Sequence, residues 1–394
     1  MASTSSMPIL RPLEFLDSLA EEFPELAEPL SELGSLYTRK LWHQLTLQVE
    51  AAFSTAAFNR ADIPVRLFTA FVTDFAPKIN LLKLAQFAVH TSKYFASPPA
   101  AVDFLRATIT RVEGMKLPRS AEPILFLKMH VAQHLLEQGD AAAAKPVVEA
   151  GRTELETLDS VDPSVSAAVH YVASLYYKSM EDYAAFYRSS LLYLAFIASD
   201  SLPEDYKERL AVDISLAALL GEGVFSFGQL LQHPIITVLS RGPHMWLGEL
   251  LTAFNVGDIH KYDELCVAYA EKLNAQPALV LHERRLREKI TLMCLLEMVH
   301  GLPADSRTIA LPSIATATKL SVDGVEFLLM KALSLHLIEG VIDQVDSSVC
   351  VSWVQPRILT KPQIAGLKLR LDAWIGKVTA VTMTLENESV GVVA

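Results

Sequence analysis

The segment from Thr308 to Ile358 constrains the fold of this chain more than any other stretch of its sequence. Its pattern of apolar and turn-forming residues predicts a strand, a helix, a turn, a second helix and then a β-hairpin. Ser321 is placed to cap the second helix, and Asp346 begins the turn of the hairpin. This order of elements is the winged-helix variant of the helix-turn-helix, a fold that often binds DNA.

The charge of this segment argues against DNA as its partner. Between Thr308 and Gln355, two lysines stand against five acidic residues, a balance of −3. The helix that would enter the major groove is predicted from Val322 to Leu337, and it carries Asp323 and Glu326 against Lys331. Contacts to phosphate supply most of the affinity for nucleic acid, and an acidic helix cannot make them. We therefore interpret the segment as a protein-binding module.

The composition indicates either a large core or extensive subunit interfaces, and we favour interfaces. The chain has 394 residues, 51% of them hydrophobic, with a mean hydropathy of +0.28 and a net charge of −11. Its longest apolar runs, such as Leu191 to Ala198, are far shorter than the roughly 18 residues that a membrane-spanning helix needs. No signal peptide is expected, and the negative charge argues against anionic membranes and nucleic acid as general partners.

Motifs for catalysis or metal binding are not found in the sequence. Cys266, Cys294 and Cys350 are odd in number and lack CxxC spacing, which argues against a disulfide framework or a zinc site and favours a reducing compartment, the cytoplasm or nucleus. His130 and His134 are four residues apart on a predicted helix, but no third ligand is evident. The serine-hydrolase elbow and the glycine-rich phosphate loops are absent. We expect no enzyme activity, no cofactor and no metal.

Almost every segment before about residue 300 is predicted to be helical, with turns that recur at similar but irregular intervals. The turns are at Gly139-Asp140, Glu181-Asp182, Gly221 to Gly223 and Gly257-Asp258. Glycine accepts the positive φ that often ends a helix, and an acidic residue then starts the next helix favourably. Such spacing is typical of stacked helical hairpins. We predict a mainly α fold in which a helical-repeat, TPR-like solenoid precedes the winged helix.

The chain is expected to divide into three parts. Residues 1–185 form an N-terminal helical-repeat solenoid. Residues 186–358 form a second module of helical hairpins, with the winged helix from about residue 303 to 358. Residues 359–394 form a long C-terminal helix and its tail.

Three stretches are candidate interaction sites. The predicted C-terminal helix carries an apolar heptad stripe, which is typical of a helix that packs lengthwise in a bundle; it consists of Ile364, Leu367, Leu371, Trp374, Val378, Val381 and Leu385. Val349, Val351 and Trp353 alternate along the last strand, and they form either the core of the winged helix or an edge that pairs with another subunit. The run His282 to Lys289 is either a solvated helix face or a basic patch for an acidic neighbour.

Several of these segments together resemble one known family. They are KLWHQLTL from Lys40, INLLKL from Ile79, His233 to Ile235, LLTAFNVGDI from Leu250, the run from Thr318 to Asp346, and WVQPRIL from Trp353. A helical array that leads into a winged helix is similar to the PCI proteins, and these motifs resemble the proteasome non-ATPase regulatory subunit 13 family. The matching segments span residues 40 to 359.

The resemblance implies a non-catalytic scaffold subunit in the lid of the 19S regulatory particle of the 26S proteasome. It implies a hetero-oligomer with other PCI subunits, MPN-type subunits and a ubiquitin receptor subunit, and a role in lid assembly and ubiquitin-dependent protein degradation. In such an assembly the winged helices associate side by side and the C-terminal helices form one bundle. The alternative is a PCI scaffold subunit of the signalosome or of a translation initiation complex.

Overall fold

A computed structural model describes residues 11–60, 62–198, 201–303, 307–359 and 361–389. The chain divides into two compact units, Met1–Ser201 and Leu202–Ala394. The described residues are mainly helical and contain one small sheet of three strands, which confirms the predicted fold class. None of the described helices is long and apolar enough to cross a membrane.

The first unit is built from helical hairpins. Its described helices are α1 (Pro12–Glu22), α2 (Ala27–Thr38), α3 (Trp42–Ser54), α4 (Ile63–Leu67), α5 (Thr73–Phe75), α6 (Leu81–Ser92), α7 (Pro98–Gly114), α8 (Ala121–Glu137), α9 (Ala141–Thr157), α10 (Pro163–Ser179) and α11 (Tyr183–Phe196). A π-helical turn at Phe68–Val72 joins α4 to α5. Helix α8 packs against α6, α7, α9 and α10, and successive hairpins share one continuous apolar core.

The predicted turns between these hairpins are confirmed in atomic detail. Gly139 ends α8 with a φ of +81°, and the Asp140 carboxylate then accepts a hydrogen bond of 2.9 Å from the backbone N–H of Ala143. Asp182 caps α11 in the same way, by accepting from the N–H of Ala185 at 3.0 Å. A carboxylate at this position satisfies a backbone N–H that would otherwise have no partner in the helix.

The second unit contains the winged helix. Its described elements are α12 (Glu204–Leu220), α13 (Gly228–Gln232), α14 (Ile236–Leu239), α15 (Met245–Val256), α16 (Ile259–Ala268), α17 (Ala270–Asn274), α18 (Pro277–Leu281), α19 (Glu283–Gly301), β1 (Thr308–Ala310), α20 (Leu311–Thr318), α21 (Val322–Ser334), β2 (Ile338–Asp343), β3 (Ser348–Val354) and α22 (Lys361–Ser389). The order from β1 to β3 is the one that the sequence predicts.

The core of the winged helix is formed in part by the inner face of α21. The hydroxyl of Ser321 caps α21 by accepting from the N–H of Gly324 at 3.2 Å. Val325, Leu329 and Ala332 are fully buried on the inner face of this helix. The strands pair antiparallel in the order β1-β3-β2, so β3 lies in the middle of the sheet.

Candidate interaction surfaces

Val349 and Val351 belong to the core of the winged helix, which is the first of the two alternatives that the sequence leaves open, and they do not lie on an edge strand. Strand β3 is bonded to β1 on one side and to β2 on the other. Val349 is 0% exposed and Val351 is 2% exposed. The N–H of Val351 also donates to the carbonyl of Arg307 at 2.9 Å. Neither residue has an unpaired backbone or an exposed side chain to offer to another subunit.

Trp353 lies on the opposite face of β3 from Val351. The alternating pattern had predicted that the two residues share one face. Trp353 pairs with Glu339, whereas Val351 pairs with Gly340, so Ser352 is an extra residue in a β-bulge. A bulge of one residue reverses the face of every side chain that follows it. Trp353 is therefore 40% exposed, and it stays a candidate contact residue.

The two most exposed apolar side chains of helix α21 were not predicted as interaction sites from the sequence. Phe327 is 69% exposed and Met330 is 51% exposed, on the side away from the buried stripe. The only signal in the sequence is that both residues fall outside the helical spacing shared by Val325, Leu329 and Ala332. A phenylalanine at this level of exposure leaves most of its apolar surface in contact with water, which is costly unless a partner covers it.

Helix α22 buries none of its described side chains. Residues 363–386 are exposed except for Gly366, which is partly covered. The seven residues of the predicted stripe are between 40% and 63% exposed; they are Ile364, Leu367, Leu371, Trp374, Val378, Val381 and Leu385. Ile375, which lies beside the stripe, and Leu369 and Met383, which lie on the opposite face of the helix, are also exposed. The apolar surface thus extends around much of the helix, as a helix in the middle of a bundle requires.

The segment before α22 is fixed to the second unit by Arg357. The Arg357 guanidinium pairs with the Glu297 carboxylate on α19 and donates to the carbonyl of Asn255 at the end of α15. A Cβ added at Gly228 would lie 2.9 Å from the Cβ of Ile358, so this glycine lets the segment approach α13 closely. His300 and the carbonyl of Gln355 are 3.2 Å apart, and burial lowers the pKa of His300. Arg357 lies within the WVQPRIL motif, but its anchoring role is not visible in the sequence.

Lys289 is buried, although it belongs to the charged run from His282. Its ammonium group donates to the carbonyls of Ala218, Leu219 and Gly221 at 2.7, 3.1 and 2.9 Å, and so caps the C-terminal end of α12. Burial lowers the pKa of Lys289 to about 7. The sequence does carry a signal, because Leu286, Lys289, Ile290 and Met293 follow the helical spacing of a buried face, and all four are buried.

His130 and His134 are held by neighbouring protein groups. His130 Nδ1 is 2.9 Å from Gln133 Oε1, and burial lowers the pKa of His130 to about 4. His134 contacts Ser92 Oγ at 3.1 Å with Nε2 and Glu137 Oε2 at 2.9 Å with Nδ1. Within the described ranges, no group of three or more histidine, cysteine or acidic residues is arranged to hold a metal ion.

A helical-repeat region, a winged helix and a long exposed terminal helix together define the PCI class of proteins. Residues 261–353 match the family model for the PCI domain, and residues 30–251 match the model described as PSD13 N-terminal repeats. "26S proteasome non-ATPase regulatory subunit 13 homolog A" of Arabidopsis thaliana is 45% identical over 382 residues, which cover 97% of this chain and 99% of that protein. "26S proteasome regulatory subunit RPN9" of Saccharomyces cerevisiae is 33% identical over 376 residues, which cover 93% of this chain and 94% of that protein.

The chain belongs to the 26S proteasome non-ATPase regulatory subunit 13 family. A more distant relative is "Eukaryotic translation initiation factor 3 subunit M" of Neosartorya fischeri, which is 27% identical over 191 residues. That match covers 48% of this chain and 40% of the other protein. The alternative assignment to an initiation complex therefore has weaker support than the assignment to the proteasome family.

Proposed function

We propose that this chain is a non-catalytic scaffold subunit in the lid of the 19S regulatory particle, where it supports lid assembly and hence ubiquitin-dependent protein degradation. Its relatives over nearly the whole chain are named as 26S proteasome regulatory subunits. The observation that carries the proposal within the chain is α22, whose apolar side chains are exposed along residues 363–386.

The exposed stripe supports assembly because its apolar side chains are not buried against the described part of their own chain. A helix gains most of its stability from tertiary packing of its apolar face rather than from intrinsic propensity. We propose that other PCI subunits and MPN-type subunits of the lid supply this packing in a helical bundle. The winged helix then contributes a second contact, for which Trp353 is the remaining candidate of the three predicted residues.

Three further features are part of the same proposal. The helical hairpins of the first unit contact the ubiquitin receptor subunit. The chain functions in the cytoplasm and nucleus, and it binds neither nucleic acid nor membranes directly. The negative charge of the winged-helix segment supports the exclusion of nucleic acid.

The test is to purify the tagged full chain from cells and to identify the proteins that co-purify in stoichiometric amounts. We expect lid subunits and peptidase activity of the attached proteasome. A matched chain that ends at Leu359 keeps the Arg357 anchor but lacks α22, and it should lose these partners. Recovery of initiation-factor or signalosome subunits in place of lid subunits would contradict the proposal.

A further inference from the structure

The second unit contains an apolar groove beside the winged helix. It has a volume of about 340 Å³ and is formed by α19, the start of α16 and the α20–α21 pair. Ile259, Leu292, Leu320 and Leu328 supply its apolar lining, and the exposed ring of Phe327 stands at its wall. This groove is separate from α22 and from the sheet.

A second groove continues along the same side of α19. Its volume is about 330 Å³, and Leu219, Leu220 and Leu335 contribute to its apolar lining. Glu288, Leu292 and Lys331 line both grooves, and Lys331 and Glu288 form an ion pair where the two meet. The two grooves are therefore neighbours, and together they are called the trough, with the half-exposed Lys331–Glu288 ion pair between them.

The rim of the trough is positively charged in a chain whose net charge is −11. It carries Arg284, Arg285, Arg287, Lys319 and Lys331. Three carboxylates offset them: Glu222 pairs with Arg285, Asp263 with Arg287 and Lys319, and Glu288 with Lys331. Arg284 is exposed, and no ion pair involves it among the described residues. The surplus of positive charge favours an acidic occupant.

We propose that this trough binds a helical segment of a partner protein that carries apolar side chains along one face and acidic residues on either side. A long apolar floor between two charged rims is the shape that accepts an amphipathic helix. The apolar anchors would cover Phe327 and fill the groove beside Leu292, and the acidic residues would lie against Arg284 and Lys319. A nucleic acid is disfavoured, because the floor is apolar and four of the five rim cations are already paired with carboxylates, which leaves no continuous row of cations for a phosphate backbone.

The test uses the purified full-length chain and a fluorescein-labelled peptide of about 14 residues, which gives about 21 Å of helix. The peptide has leucines on one helical face and glutamates on the flanks. A second peptide replaces every glutamate by lysine, and a single-stranded DNA serves as the nucleic-acid competitor. Fluorescence anisotropy gives the Kd of each complex.

The expected result is saturable binding of the acidic peptide, with Phe327→Ser and Arg284→Glu each raising its Kd by about tenfold or more. The matched controls, Val267→Ser and Arg209→Glu, change exposed residues of the same unit outside both grooves and should leave the Kd unchanged. Thermal melting confirms that the variants remain folded, which is expected because Phe327 and Arg284 are exposed.

Four outcomes would overturn the proposal. They are equal or tighter binding of the lysine peptide, efficient displacement by the DNA, binding that survives Phe327→Ser, and no binding to the wild-type chain at peptide concentrations of about 1 mM. None of these measurements depends on the proteasome, so the result stands apart from the function proposed above.

Discussion

The apolar stripe of α22 makes a quantitative prediction about two of its residues. In the isolated chain Leu371 is 50% exposed and Trp374 is 63% exposed. Changing both to aspartate therefore removes little buried surface, and surface substitutions of this kind cost within about 0.5 kcal/mol each. We expect the free energy of unfolding of the isolated chain to fall by about 1 kcal/mol at most. The corresponding shift in Tm is no more than about 4 °C.

The same double variant should be severely defective in assembly. Completing the burial of a leucine-sized and a tryptophan side chain contributes about 2–4 kcal/mol in total. A carboxylate placed in the apolar seam without a partner adds a desolvation cost of about 1–3 kcal/mol. The two contributions together amount to about 3–7 kcal/mol, and a loss of about 4 kcal/mol already weakens binding to the helical bundle by about a thousandfold. Co-expression with the other lid subunits followed by native electrophoresis measures the incorporated fraction.

The matched control is the double variant Thr379→Asp with Thr384→Asp. These exposed residues lie on the polar strips of the same helix, beside Asp372 and Lys377, and they add the same number of negative charges. We expect this control to enter the lid. Equal defects in the two double variants would show that added charge, rather than loss of the stripe, blocks assembly. A large loss of stability in the isolated Leu371→Asp/Trp374→Asp chain would show that α22 folds back on its own unit, and the assembly role would be refuted.

Three further predictions test other parts of the structure. Gly257→Ala should lower the free energy of unfolding by several kcal/mol, because the φ of Gly257 is +71° and an added Cβ would lie 2.7 Å from the α19 backbone. Gly139 has a φ of +81° but lies in open space, so Gly139→Ala should cost only about 1–2 kcal/mol. Similar losses of stability for the two variants in thermal denaturation would contradict the close packing at Gly257. Burial lowers the pKa of Lys289 to about 7 in the folded chain, whereas the pKa in the unfolded chain is about 10.4. Between pH 7 and about pH 10.4 the unfolded state therefore binds more protons than the folded state. The free energy of unfolding should rise with pH in this range by up to about 1.4 kcal/mol per pH unit. Urea denaturation from pH 7 to 10 should show this rise in the wild type relative to Lys289→Met, and parallel profiles would rule it out. Arg357→Ala should destabilise the second unit by about 2 kcal/mol through loss of its charged hydrogen bonds, while the exposed control Arg209→Ala should leave the Tm unchanged.

The winged helix was predictable because its signals are local. Ser321 caps α21, the apolar stripe of that helix has the correct period, and the turn residues after Asp343 separate two strands. The hairpin turns of the first unit were predictable for the same reason. Gly139 and Asp140 are the residue types that a helix end and a helix start require, and they occupy those positions.

The face of Trp353 could not be predicted, because it depends on pairing between two strands. The bulge at Ser352 changes which side of β3 every later residue occupies, and alternation in one strand gives no sign of it. The position of β3 between β1 and β2 is likewise a property of the whole sheet, which is why Val351 looked like an edge residue. Arg357 illustrates a further limit, because its partners Glu297 and Asn255 are distant in sequence and meet it only in the folded unit.

Much of the exposed apolar surface of the described residues lies on two helices of the second unit, α21 and α22. The first unit buries a continuous core that extends from Phe15 to Tyr176, and most of its large apolar residues lie inside. The second unit instead exposes Phe327 and Met330 on α21 and the whole stripe of α22. We propose that these exposed surfaces bind other proteins and account for part of the mean hydropathy of +0.28. Because these surfaces lie on separate elements, loss of one should weaken a particular contact while the fold of the chain persists.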